Sequence, residues 1–166
     1  MTATAIQGPS YRISVLTPAL LRLQWSPSGV FDDRPTQVVV DRAFAEVPVR
    51  VVEGERSVDL YTAALQLTYD RGPFSPQGLR VALSGGISTF HSVWRFGDPP
   101  DTLDGTVRTL DGADGRIPLE RGILSRNGIA ILDDSASLAM DDRGVPQPRE
   151  PGLIDLYVFG YGRDYR

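Results

Sequence analysis

Apolar residues recur at every second position in several short stretches of this chain. Tyr11, Ile13 and Val15 alternate with Arg12 and Ser14, and Leu21, Leu23 and Trp25 with Arg22, Gln24 and Ser26. Leu65, Leu67 and Tyr69 alternate with Gln66, Thr68 and Asp70, and Leu79, Val81 and Leu83 with Arg80, Ala82 and Ser84. Phe90, Trp94 and Phe96 share one face of a similar stretch. A period of two predicts strands with one face in a core and the other in water. Val38-Val39-Val40, Ile129 to Leu132 and Leu156 to Phe159 are continuous apolar runs, which predicts strands buried on both faces. No window keeps a helical apolar stripe for three turns.

Between these runs fall the turn residues, drawn from Gly 17 and Pro 13. Examples are Ser26-Pro27-Ser28-Gly29, Arg71-Gly72-Pro73 and Asp142-Arg143-Gly144. Short strands punctuated in this way predict an all-β fold, an antiparallel sandwich or barrel of roughly ten to twelve strands. The rhythm lapses from Gly97 to Gly122, a stretch rich in Asp, Gly and Pro. Its embedded Leu103, Val107, Leu110, Ile117 and Leu119 predict one long ordered loop over 97–122. A length of 166 residues predicts one domain, 1–166, with a core that needs no staples.

Composition removes several classes of chemistry. The net charge is −4 and the 17 basic residues, all Arg, are scattered. This argues against nucleic acid and anionic membranes, which call for clustered cations. With Cys 0, disulfides, thiolate metal sites and thiol nucleophiles are excluded. No segment reads as a secretory signal or a membrane span, so the expectation is a soluble, cytoplasmic protein. No cofactor motif is found.

The candidate chemistry is mostly carboxylate. Asp32-Asp33, Asp133-Asp134 and Asp141-Asp142 are adjacent pairs, and on an extended backbone neighbours point apart. Turn chemistry is the reading for all three. In the long loop, Asp111-Gly112-Ala113-Asp114-Gly115 has the wrong spacing for a calcium loop, so no metal is expected. His91, the single His, has no nucleophile elbow beside it and reads as a surface or structural residue. Trp25 and Trp94 lie in phase with core positions, so packing is preferred over sugar stacking. Tyr157, Tyr161 and Tyr165 are read as a surface facing a further domain.

Three stretches carry a resemblance. Tyr11 to Asp41 (YRISVLTPALLRLQWSPSGVFDDRPTQVVVD), Gly105 to Ser135 (GTVRTLDGADGRIPLERGILSRNGIAILDDS) and Asp155 to Arg166 (DLYVFGYGRDYR) together resemble the N-terminal β-sandwich of glycoside hydrolase family 31, the α-glucosidase and α-xylosidase family. The resemblance implies a galactose-mutarotase-like supersandwich that packs on a catalytic (β/α)₈ barrel and lends a loop to the sugar-binding rim. The family's catalytic Asp residues belong to that barrel. The chain stops at Arg166, where the barrel would begin, so it is expected to hydrolyse nothing alone. By position in the loop, Asp111 is the residue expected to meet an α-linked carbohydrate, with Asp114 second. The orphaned barrel-facing surface is a candidate homodimer contact. The alternatives are a stand-alone carbohydrate-binding module and a structural interaction sandwich.

Overall fold

The alternating stretches pair with one another, and their apolar faces meet. The structure is a computed structural model; it describes residues 4–84, 92–99, 101–105, 112, 114–115, 117 and 120–164. His91, Asp111 and Tyr165 lie outside the described residues. Among the described residues every regular element is a strand. The strands are β1 (Thr4–Gln7), β2 (Tyr11–Thr17), β3 (Leu20–Trp25), β4 (Arg50–Glu53), β5 (Val58–Tyr61), β6 (Leu65–Tyr69) and β7 (Leu79–Leu83). They continue with β8 (Val93–Arg95), β9 (Thr102–Gly105), β10 (Glu120–Ser125), β11 (Ile129–Asp133), β12 (Ala139–Met140), β13 (Pro146–Gln147) and β14 (Ile154–Gly160). No helix is long and apolar enough to cross a membrane among these residues.

Two five-stranded antiparallel sheets form the body, in the orders β1-β2-β3-β14-β11 and β4-β5-β6-β7-β8. Their registers align the apolar positions into rows. In the first sheet Ile13, Leu23 and Leu156 stand abreast, as do Val15, Leu21, Val158 and Ile131. In the second, Leu60, Leu67, Val81 and Trp94 stand abreast. These rows face each other in one core, which makes the fold an antiparallel β-sandwich. Tyr11 of the first sheet meets Tyr69 of the second edge to face, with ring centroids 4.9 Å apart. The aromatic contact continues through Phe74 and Phe96 to Trp94. Trp94 is therefore a core residue, and Trp25 packs at the core margin.

Two expectations change. Val38-Val39-Val40 is not a strand; Val38 and Val40 are exposed in the connection after β3. Among the described residues there are fourteen strands rather than ten to twelve; β12 and β13, of two residues each, are too short to carry a period of two. The stretch 97–122 contributes β9 and the start of β10, which pair antiparallel with each other.

Candidate functional site

The two sheets treat their outer faces differently. On the second sheet the polar positions point to solvent, with Arg80 and Arg95 exposed, as the alternation predicts. On the first sheet they do not. Arg12, Gln24 and Asp155 form one cross-strand row, and Ser14, Arg22 and Tyr157 the next. Of these, Ser14, Arg22, Gln24, Asp155 and Tyr157 are buried. The connections 26–49 and 134–153 lie over this face and supply partners for its charges.

The partners are specific. Arg22 donates to both oxygens of Asp155, from Nε at 2.8 Å and Nη2 at 2.7 Å, and its Nη1 reaches Asp33 Oδ1 at 2.6 Å. Arg12 donates from Nη1 to Asp33 Oδ2 at 2.8 Å and from Nε to Gln24 at 2.8 Å. Arg149 pairs with Asp155 and donates to the Asp134 carbonyl at 2.6 Å. Arg42 donates to the Tyr157 hydroxyl at 2.5 Å and to Asp134 Oδ2 at 3.3 Å, while the Thr36 hydroxyl reaches Asp134 at 3.0 Å. Planar guanidiniums suit such sites because they stay charged and bond carboxylates in pairs. Arg34 closes the outer rim by holding Asp32 at 2.7 and 3.0 Å.

The electrostatics keep Asp32, Asp33 and Arg22 charged. Hydrogen bonding to Arg34 leads the forces that hold the Asp32 carboxyl below its usual range. Burial works to raise Asp33, yet Arg12 and Arg22 hold it below its usual range too. Burial alone would lower the Arg22 guanidinium, but Asp155 overrides it and the value is raised. Burial raises the Tyr157 phenol, with Asp155 adding to it, so the ring stays neutral. A general acid for glycoside cleavage needs a carboxyl pushed upward. Asp32 and Asp33 are pushed the other way.

A cavity of about 390 Å³ opens beside the network, lined in part by Phe31, Asp32, Arg34, Arg149 and Glu150. The Arg149 Nε is buried there without a hydrogen bond, and Asp32 Oδ2 lies 3.9 Å from it. No group of three or more His, Asp or Glu side chains placed to hold a metal occurs among the described residues.

The paired aspartates thus split their duties. Asp133 and Asp141 cap turns, accepting from Ser135 N at 2.9 Å and from Arg143 N and Val145 N at 2.9 Å. Asp33 and Asp134 instead anchor the network, which corrects the turn reading for those two; Asp32 does both. Tyr157 is buried in the network rather than presented on a surface. The Tyr161 hydroxyl lies 2.9 Å from the Ser125 hydroxyl. Asp114 is exposed, between Gly112 and Gly115, both at positive φ. Asp111, the other candidate sugar contact, lies outside the described residues. The Arg42, Asp134 and Arg149 partnerships span connections of no fixed period, so the sequence pattern gives no signal for them.

In the layer that covers the network, Arg42, Asp134 and Arg149 point inward, whereas Arg34, Asp41, Asp142 and Arg143 are exposed. Val30, Val38, Val40, Leu138 and Val145 are exposed among them, Val40 at 73%. The Thr36–Ala139 bridge and the Met140 N to Pro35 O bond of 2.7 Å tie its two connections together. No protein family's sequence profile matches the chain, and no curated protein matches it.

Proposed function

We propose that this chain is the non-catalytic, galactose-mutarotase-like N-terminal domain of a family 31 α-glycosidase. In this reading it packs on the catalytic (β/α)₈ barrel of the same enzyme in the cytoplasm. Loop 97–122 then joins the sugar-binding rim, with Asp111 and Asp114 accepting hydrogen bonds from an α-linked carbohydrate. The observation that supports the reading is the set of exposed apolar side chains on the layer over the network. Val30, Val38, Val40, Leu138 and Val145 are turned outward there, which makes a face suited to cover by another folded body. Ile123, 75% exposed on β10 where the chain leaves the long loop, and its neighbour Leu124 extend the same argument toward the rim.

The test is kinetic. In the enzyme that carries this chain, Asp111→Ala is expected to lower kcat/KM for an α-glucoside or α-xyloside by about 30-fold or more. Asp114→Ala is the comparison. Unchanged kinetics in both variants contradict the rim assignment. Saturable binding of maltose oligosaccharides by the chain alone would favour a free carbohydrate-binding module instead.

A further inference from the structure

The outer face of the second sheet holds a different kind of site. Arg80 on β7 and Arg95 on β8 are register partners, so their side chains leave the same face side by side. Both are exposed, and among the described residues neither guanidinium makes an ion pair or a hydrogen bond. Like charges directly opposite each other on adjacent strands destabilise a sheet. This chain carries a net charge of −4, so two adjacent unpaired cations stand against its overall balance. Arg12, Arg22, Arg34, Arg42, Arg71 and Arg149 are ion-paired, while Arg50, Arg56, Arg126 and Arg143 have no ion pair among the described residues but are not register partners of one another.

The pair is also set in a concavity. Arg80 and Arg95 line a cavity of about 480 Å³ with Thr68, Pro76, Gln77 and Gly78. Gln77 adds an amide donor. No carboxylate lines the cavity. The carboxylates at its margin already hold donors: Asp59 accepts from the Thr68 hydroxyl at 2.6 Å, Asp98 from the Arg95 main-chain N–H at 2.9 Å, and Asp70, beside Gly78, from the Gly72 main-chain N–H at 2.9 Å. Two planar five-donor forks that line one hollow can offer paired donors to the oxygens of a tetrahedral dianion.

We propose that Arg80 and Arg95 form a binding site for a phosphate group, free or carried as a phosphate monoester, with Gln77 as a third donor. The site is independent of the sugar-rim reading, since it uses none of the same residues. Bound phosphate would relieve the repulsion that the empty register pair carries.

The experiment uses the full chain at constant ionic strength. Inorganic phosphate, glycerol phosphate, acetate and chloride are titrated while calorimetry and the Arg side-chain Nε NMR signals are followed. Saturable binding of phosphate that strengthens from pH 6 to pH 8, as the dianion forms, is expected, with acetate and chloride at least about tenfold weaker. Tighter binding of glycerol phosphate than of inorganic phosphate assigns the ester as the ligand; the reverse order assigns the free ion. Arg80→Gln and Arg95→Gln should each weaken phosphate binding about tenfold. Each should also raise the thermal midpoint of the unliganded protein, because each removes the repulsion. A midpoint that falls in both variants, equal binding of acetate and phosphate, or unchanged affinity in both variants would overturn the proposal.

Discussion

Arg22 on β3 and Asp155 on β14 form a bidentate ion pair in which neither side chain keeps any exposed surface. The pair sits on a sheet face that should, by its polarity, be wet. Burying it was made tolerable by satisfying every remaining oxygen and nitrogen, Asp33 and Arg149 closing the set. Taking one partner away leaves the other charged and unpaired. Arg22→Ala and Asp155→Ala are each expected to cost about 3–5 kcal/mol, measured by urea unfolding. Asp155→Ala should be the worse, since Asp155 serves two guanidiniums. A cost below about 1 kcal/mol for either would show that the network is not desolvated as described.

The network also fixes the pH limits of stability. Asp32 and Asp33 have depressed folded-state values, so their contribution is complete above the unfolded aspartate value of about 3.9 and is lost as pH falls through the folded value. Tyr157 and Tyr69 are raised, chiefly by burial, so their contribution holds below the unfolded phenol value of about 10 and is lost as pH rises beyond it. Thermal midpoints should therefore be flat from about pH 5 to 9 and fall on both sides. A midpoint that rises on acidification below pH 4 would contradict the assignment.

Backbone geometry supplies a sharper test. Gly128, in the turn between β10 and β11, has φ of 74°, and a Cβ there would lie 2.6 Å from the Gly162 carbonyl oxygen. The obstacle is main chain and cannot swing aside. Gly128→Ala is expected to lose about 1–3 kcal/mol, whereas Gly144→Ala, with the same φ of 75° and open space around it, should lose about 1 kcal/mol. Equal losses in the two variants would mean that Gly162 does not press on the turn.

The exposed valines of the covering layer predict a separation between folding and association. Val40→Asp changes an exposed side chain with no core contact, so unfolding free energy should move by no more than about 0.5 kcal/mol. Attachment through that face should weaken, read as self-association by sedimentation for the isolated chain and, under the proposed function, as docking onto the barrel. A variant that unfolds easily would place Val40 in the core and remove the argument.

The sandwich was legible because its strands announce themselves twice, by alternation and by turn residues between them. Leu65, Leu67 and Tyr69 all land in the core, and Arg80 and Arg95 on the wet face, as a period of two requires. The first sheet defeats the same rule. Arg22, Gln24 and Asp155 occupy polar phases yet are buried, because burial there depends on partners from distant connections. Alternation reports which residues share a face, not what lies over it. Val38-Val39-Val40 misleads in the opposite sense: three β-branched residues read as a buried strand, while the chain around them is committed to holding Thr36 and Arg42 against Asp134. The candidate rim could be named from a resemblance alone, as no period or spacing singles out Asp111 or Asp114 from the other loop aspartates.

The proposed function is tested most directly by the intact mass of the polypeptide recovered from its source cells with an antibody against this sequence. The account predicts a species far larger than 18.1 kDa, carrying a (β/α)₈ barrel and cleaving α-glycosides. An 18.1 kDa polypeptide with no glycosidase bound to it would contradict the account.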